Sequence, residues 1–153
     1  MAKKHATDLP LLLGNQICFA IYSTAHAFNR VYKPLLDRIG LTYPQYLVML
    51  VLWEQDGITV RELGRRLQLD SGTLTPLLKR LQAAGLVNRQ RRVADEREVE
   101  ILLTEAGLAL REPANGIPDC MAQCLKLSLD QVQDLRDQLK QLTRQLQPTP
   151  TED

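Results

Sequence analysis

With 153 residues, 44% of them hydrophobic, the chain has the size of one domain with a substantial core. No apolar run reaches the roughly 18 residues of a membrane span and no cleavable signal pattern opens the chain, so we expect a cytoplasmic protein without a membrane partner. The net charge of +1 hides an asymmetry, because residues 59–104 hold nine Lys or Arg against six Asp or Glu. A nearly neutral protein of this kind can carry a basic face.

Two helices are predicted in the first third of the chain. Apolar residues recur near helical spacing over residues 11–36, which predicts a long first helix, bent near Pro34 and ended by Gly40. Pro44 opens a second helix over residues 45–53. This helix is apolar on nearly all sides and is therefore expected in the core.

A pair of short helices is predicted next. Thr59 and Glu62 form a capping box that marks the start of the third helix. Asp70 or Ser71 caps the fourth, which Gly85 ends. The connection between the two is short, as expected of a helix-turn-helix.

Two strands and two more helical segments complete the pattern. Residues 86–90 and 99–103 flank a charged loop and are interpreted as a β-hairpin. A helix over residues 105–110 is expected to break near three helix-breaking residues, which are Pro113, Gly116 and Pro118. Residues from 148 onward are expected to form a frayed tail.

The last helix carries an apolar seam that predicts packing against another helix. The seam consists of Val132, Leu135, Leu139, Leu142 and Leu146. Because two heptads are too few for a free coiled coil, and because leucines at residues 11–13 also need cover, we expect the terminal helices to pair with a second copy in a homodimer.

These elements predict a mainly α fold with a small β-hairpin wing, that is, a winged helix-turn-helix with a helical dimerisation region. We expect a single domain over residues 1–153. Residues 10–40 and 105–147 would form the dimerisation helices, and residues 44–104 the DNA-binding lobe.

The helix pair and the hairpin carry side chains suited to duplex DNA. Short polar residues at the start of a recognition helix suit close approach to base edges, and basic residues neutralise phosphates. An arginine at the hairpin tip can enter the minor groove, where Asp95 is placed to orient it. The candidates are Ser71, Thr73, Thr75, Lys79, Arg80, Arg89, Arg91, Arg92, Asp95 and Arg97. The open alternatives are a solvated charged face and a winged helix that binds protein.

Two stretches resemble the MarR family of bacterial regulators. One is Gly85-Leu86-Val87-Asn88-Arg89, and the other is Asp95-Glu96-Arg97, followed after five residues by Leu103-Thr104 and then Gly107. The resemblance implies a homodimer that binds double-stranded operator DNA, with one winged helix-turn-helix on each half-site and repression as the usual outcome. It implies no cofactor.

Within that family, residues 15–22, 32–36 and 41–46 resemble the organic hydroperoxide resistance regulators. In that subgroup a cysteine near the start of the first helix is the peroxidatic thiol, and tyrosines enclose it, some of them donated across the dimer interface. Cys18, Tyr22, Tyr32 and Tyr43 stand at the matching positions. The implied inducers are organic hydroperoxides.

The chemistry of such a site is consistent. A thiolate attacks the peroxide, and phenolic donors together with a position in the first helical turn, which Asn15 would cap, favour that anion. Oxidation gives a sulfenic acid, which condenses with a second thiol. Resemblance to the two-cysteine members implies an intersubunit disulfide with a resolving cysteine in the fifth helix, for which Cys120 is the first choice and Cys124 the second.

Three other interpretations stay open. Cys18 could line a dimer-interface pocket for a small phenolic ligand, in a repressor that releases DNA when the ligand binds. A thiol peroxidase is less favoured because the chain lacks a βαβ pattern, and we expect no enzyme. Cys120 and Cys124 with a histidine could hold a metal, but no pair of ligand clusters has the spacing of a zinc site, and we expect none.

Overall fold

The structure is a computed structural model that describes residues 10–147, so the predicted tail from residue 148 lies outside the described residues. A 3-10 turn, Leu13–Asn15, precedes α1 (Ile17–Asp37) and α2 (Tyr43–Glu54). There follow β1 (Ile58–Thr59), α3 (Val60–Leu67), α4 (Ser71–Ala83), β2 (Val87–Arg91), β3 (Val99–Leu103), α5 (Glu105–Ala109), α6 (Arg111–Ala114), α7 (Ile117–Leu125) and α8 (Leu129–Leu146). The predicted mainly α fold with a small wing is confirmed.

Residue contacts divide the chain into two compact units, Met1–Ile117 and Pro118–Asp153. The first contains the helix pair and the sheet, and the second contains most of α7 and all of α8. Over the described residues, no helix is both long enough and apolar enough to cross a membrane. The division into a DNA-binding lobe and dimerisation helices stays a prediction.

The core of the first unit lies between α2, the helix pair and the sheet. The helix α2 is buried on several sides, as its uninterrupted apolar sequence predicts. On α4, the leucines of one face turn inward. The most deeply buried side chains include Leu36, Val48, Met49, Leu52, Leu63, Leu74, Leu78, Leu81, Val87 and Ile101.

The sheet has three antiparallel strands in the order β1, β3, β2. Ile58 of β1 pairs with Ile101 of β3, and Arg89 of β2 pairs with the other side of Ile101. The hairpin was predicted within one residue at each end. The third strand was not predicted, because two residues are too short to show an alternating pattern.

The first helix begins later than predicted. Gln16 is extended (φ −87°, ψ 112°) and separates the 3-10 turn from α1. The leucines at residues 11–13 are exposed, so no packing supports a helix there, and Gly14 weakens helix formation further. The helix continues through Pro34 to Asp37, and Gly40 adopts a left-handed conformation (φ 69°) after it.

The segment after the wing is broken as predicted. The helices α5 and α6 are each a single short turn or little more, and α7 starts beyond Gly116 with Pro118 in its first turn, where proline is tolerated. In the second unit, Ser128 caps α8 and exchanges hydrogen bonds with Gln131 (3.2 and 2.9 Å). The seam of α8 remains largely open, with Leu135, Leu139 and Leu146 exposed.

Candidate nucleic-acid interface and thiol site

Two side-chain caps shape the helix pair. The Thr59 hydroxyl accepts the backbone N–H of Glu62 (3.1 Å), but the Glu62 carboxylate binds Arg65 (2.7 and 2.8 Å), so the reciprocal half of the predicted capping box is not formed. The Asp70 carboxylate, rather than Ser71, caps α4 by accepting the N–H of Thr73 (2.7 Å). This bond holds the pKa of Asp70 below its usual value. The start of α4 is thus fixed and projects from the core.

The turn between the helices is tight. Gln68 is left-handed (φ 55°), and Leu69 donates its N–H to the Gly64 carbonyl (2.9 Å). A Cβ on Gly64 would lie 2.8 Å from the backbone oxygen of Leu69, so the close approach requires glycine. The two helices are therefore held in a defined relation.

The predicted recognition residues on α4 mostly face solvent. Ser71 and Thr73 in its first turn are exposed, Thr75 is half-buried, and the cations Lys79 and Arg80 are exposed further along. The buried leucines occupy the other face of the helix. A polar ridge with an open first turn results, the form that suits entry into a major groove.

A groove of about 770 Å³ runs between α3, the start of α4 and the wing. Among its lining residues are four arginines and two acids, namely Arg61, Arg65, Arg89, Arg97, Asp95 and Glu98. Over residues 10–147, no ion pair engages the guanidinium groups of Arg61, Arg89 and Arg97. The Nε atom of Arg89 is buried and has no hydrogen-bond partner in the part of the chain that the structure describes. Three of the four arginines in this groove, all except Arg65, thus have no counter-ion among residues 10–147.

Arg61 was missed in the sequence. Its spacing of four residues from Arg65 would have placed both on one face of α3. The other two arginines of α3, Arg65 and Arg66, form ion pairs with Glu62 and Glu54. Arg61 is the more available cation of this helix.

One arginine of the wing is paired with acidic residues of the wing itself. Arg92 forms ion pairs with Glu98 (3.1 Å) and Glu100 (3.4 Å), whereas Arg91 and Arg97 are exposed. Asp95 accepts the backbone N–H of Arg97 (3.0 Å), so within the loop it acts on Arg97 through the main chain. The wing tip therefore presents Arg97 on a structured turn.

Cys18 is the second residue of α1 and is exposed. The placement in the first turn is as predicted, but the N-cap residue is Gln16 and not Asn15. No hydrogen bond within residues 10–147 engages the Cys18 thiol. Tyr22, one turn along, is 63% exposed, and its ring meets that of His26 edge-on at 4.3 Å.

The other two predicted tyrosines form a cluster. The rings of Tyr32 and Tyr43 lie 4.7 Å apart, and Tyr46, which was not predicted as a site residue, lies 6.0 Å from Tyr32. Burial, and next the neighbouring phenols, raise the pKa of Tyr32 to about 12. Burial also raises the pKa of Tyr43. Like any phenol, both are protonated at neutral pH and can donate a hydrogen bond, and the raised pKa extends this state to more alkaline pH.

One chain does not bring the thiol and this cluster together. Cys18 and Tyr32 belong to the same continuous helix, fourteen positions apart in the numbering, which corresponds to about 21 Å along its axis. Of the three predicted tyrosines, only Tyr22 lies about one helical turn from Cys18 on α1. A site that uses Tyr32 and Tyr43 together with Cys18 would need a second copy of the chain.

The two candidate resolving cysteines lie on α7. Cys120 is half-buried and Cys124 is exposed, and both are free thiols. They are four residues apart, about one helical turn. Cys124 is the more accessible of the two.

Comparison with known proteins gives close relatives over most of the chain. A regulator called TtmR from Methylorubrum extorquens is 50% identical over 91% of this chain and 71% of its own length. The organic hydroperoxide resistance transcriptional regulator of Bacillus subtilis is 46% identical over 88% of this chain and 91% of its own.

Solved structures of related regulators are also similar to this chain over most of its length. Reduced AbfR bound to DNA matches 92% of this chain and 98% of its own, with 36% identity and a TM-score of 0.75. A disulfide form of AbfR matches 92% and 95% with 36% identity and a TM-score of 0.62. The family described as transcriptional regulator SarA/Rot matches residues 30–112. The chain therefore belongs to the SarA/Rot family of MarR-like winged-helix transcriptional regulators, and it is related to regulators of organic hydroperoxide resistance.

Proposed function

We propose that this transcriptional regulator is a homodimeric repressor that releases operator DNA when an organic hydroperoxide oxidises Cys18. The observation that carries the proposal is the separation of the exposed Cys18 from the Tyr32–Tyr43 cluster along one helix, together with uncovered apolar residues around that cysteine. A second copy would cover those residues and supply the missing tyrosines. As a regulator of transcription, it would act in the cytoplasm.

The DNA contact is assigned to α4 and the wing. The first turn of α4, with Ser71 and Thr73, would meet base edges in the major groove, and Arg97 would enter the minor groove. The DNA backbone between these two DNA grooves would pass over the arginine-lined groove of the protein, where Arg89 and Arg61 form no ion pair with any residue of 10–147. Arg92 is given a smaller part, because its charge is already neutralised by two glutamates.

Dimerisation is supported by unpaired apolar surface on both units. Near Cys18, Ile17 is 66% exposed and Phe19 is 40% exposed. On α8, Leu129 and Leu135 are also exposed. Contiguous apolar patches on soluble proteins mark interaction sites, and a second copy of the chain would cover the exposed residues named here.

The oxidation step conserves atoms and electrons. The Cys18 thiolate attacks the peroxide oxygen that bears the proton, an S–O bond forms, the O–O bond breaks, and the alkoxide takes a proton and leaves as an alcohol. Cys18 becomes a sulfenic acid. A neutral phenol of Tyr32 or Tyr43 would donate to the peroxide, and their apolar surroundings would accept the organic group.

Resolution requires a second thiolate. Cys120 of the partner subunit would attack the Cys18 sulfenic sulfur, an S–S bond would form, and hydroxide would leave as water after protonation. Cys124 is the alternative nucleophile. The support is the relatedness to AbfR, for which a disulfide-formed structure exists. Tying α7 to another subunit would displace the attached winged helix from its DNA spacing.

A gel-shift experiment tests the proposal. A duplex selected from a random pool by the reduced protein is incubated with wild type or with Cys18→Ser, before and after cumene hydroperoxide. Wild type should release the duplex and Cys18→Ser should stay bound. Cys124→Ser is the matched control for Cys120→Ser, and non-reducing electrophoresis identifies which of the two abolishes a thiol-reversible crosslink.

Release of the duplex by Cys18→Ser would refute the sensing role of this cysteine. Release triggered by a phenolic ligand in that variant would support a ligand-responsive regulator instead. Sustained peroxide consumption with a thiol reductant would point to a peroxidase. A crosslink that persists in Cys120→Ser but not in Cys124→Ser would transfer the resolving role to Cys124.

A further inference from the structure

Trp53 links the end of α2 to the segment that leaves the wing. Its indole N–H donates to the carbonyl of Gly107 at 2.9 Å, a contact between residues 54 positions apart. It is the only tryptophan of the chain. A half-buried indole in such a bond is held in one orientation.

Gly107 belongs to a compact junction formed by Gly85, Leu86, Thr104 and Gly107. The Gly107 N–H donates to the Thr104 hydroxyl (3.0 Å), which donates to the Gly85 carbonyl (2.6 Å), and the Thr104 N–H donates to the Leu86 carbonyl (3.1 Å). A Cβ on Gly107 would lie 2.0 Å from the Leu86 oxygen. This junction joins the end of α4, the start of β2, the end of β3 and the start of α5. Its backbone segments are packed so closely that there is no room for a side chain at Gly107.

On its other side, Trp53 continues an aromatic row. Its ring lies 6.4 Å from that of Tyr46 at an angle of 67°, Tyr46 lies 6.0 Å from Tyr32, and Tyr32 lies 4.7 Å from Tyr43. Tyr46 is only 3% exposed. These separations are those of directly packed rings, and closely packed side chains transmit displacement instead of absorbing it. The row thus runs without a gap from the two tyrosines assigned to peroxide sensing to the junction.

We propose that Trp53 is a positioning residue through which a change in the packing of Tyr32 and Tyr43 alters the position of the wing. The inference rests on the proposed function, since it takes these tyrosines as part of the thiol site. When oxidation of Cys18 repacks them, Tyr46 and the Trp53 indole shift, and the hydrogen bond to Gly107 changes. The strands that carry Arg89 and flank Arg97 both start or end at the junction, so their position relative to α4 changes with it.

A purely structural role for Trp53 predicts a different result from a positioning role. If Trp53 is purely structural, its replacement lowers the stability of the protein and reduces the DNA affinity of the reduced and the oxidised protein by the same factor. If Trp53 is a positioning residue, its replacement alters the ratio of the two affinities, while the rate of Cys18 oxidation stays the same. The ratio is therefore the quantity to measure.

The experiment uses the full-length protein, the selected duplex and cumene hydroperoxide. Trp53→Phe removes the N–H donor and keeps a ring, Tyr46→Leu interrupts the row, and Tyr46→Phe keeps the ring as the conservative counterpart. We expect the ratio of reduced to oxidised affinity to fall about fivefold or more in Trp53→Phe and Tyr46→Leu and to be retained in Tyr46→Phe. Cys18 oxidation, followed by mass spectrometry, should keep its wild-type rate in all three.

A second measurement leaves Trp53 and Tyr46 unchanged. Excitation at the red edge of the protein absorption band, where only indole absorbs, reports on Trp53. In wild type its fluorescence should change when peroxide is added, in step with DNA release. In Cys18→Ser it should not change. Unchanged fluorescence during release would overturn the proposal, as would wild-type affinity ratios in both Trp53→Phe and Tyr46→Leu. Failure of the proposed function is distinguishable, because Cys18→Ser would then release DNA on oxidation.

Discussion

The carboxylate of Asp56 accepts the backbone N–H of Leu103 at 2.8 Å, across 47 positions of sequence. The same oxygen accepts the N–H of Gly57, also at 2.8 Å. The turn after α2 is thereby fastened to the last residue of β3. This bond and the pairing of Ile58 with Ile101 place the sheet against the helical core.

Replacing Asp56 should weaken the wing. Asp56→Ala leaves the Leu103 N–H without its acceptor and should lower the free energy of unfolding by about 1–2 kcal/mol. Asp56→Asn retains an oxygen acceptor and should lose less. Urea unfolding followed by circular dichroism measures both variants, and equal stability of Asp56→Ala and wild type would contradict the anchoring role.

Two glycines form a matched pair for the close approach at the junction. A Cβ on Gly107 would lie 2.0 Å from the Leu86 oxygen, whereas a Cβ on Gly116 meets nothing within 4 Å. Gly107→Ala should cost about 3 kcal/mol or more, or prevent folding, because backbone must move. Gly116→Ala should melt close to wild type. Thermal melts of similar midpoint for the two variants would disprove the steric argument.

The arginines of the wing should differ in their contribution to DNA binding. Arg89→Ala and Arg97→Ala remove cations that have no counter-ion in the described part of the chain, so affinity should fall several-fold and the slope of log K against log salt should decrease by about one. Arg92→Ala removes a cation already paired with Glu98 and Glu100 and should have the smaller effect. Fluorescence anisotropy with the selected duplex at several salt concentrations compares the three. The same loss in all of them would mean that the ion pairs of Arg92 open on DNA.

The tyrosine cluster should make stability sensitive to alkaline pH. Tyr32 has its pKa raised from 10.0 to about 12, so it stays neutral in the folded chain at pH values where it ionises in the unfolded chain. The contribution of this group is fully present below about pH 10 and is lost as the pH rises through about 12. Tyr32→Phe should show a shallower decline of the unfolding free energy over this range. A decline as steep as that of wild type would place the effect elsewhere.

Much of the helix pair and the wing is decided by contacts between near neighbours in sequence. Thr59 and Asp70 each bind a backbone N–H three residues ahead, and proline or glycine interrupts the chain between α5 and α7. Such signals act within one turn, so they are visible in the sequence. The resemblance to regulators of organic hydroperoxide resistance was likewise carried by short stretches, and close relatives confirm it.

What the sequence by itself determined is therefore the helix pair, the hairpin and the long flanking helices, several of their caps and breaks, and the residue types available for DNA and peroxide chemistry. Only the tertiary structure decided that β1 joins the sheet, that Arg92 is neutralised while Arg89 and Arg61 line a groove, and that Trp53 reaches Gly107. These depend on pairs separated by up to 54 positions, whose meeting is set by packing of the whole unit and not by local propensity. The continuous α1 also decided that Cys18 and Tyr32 cannot meet within one chain, because a helix of that length keeps its ends apart.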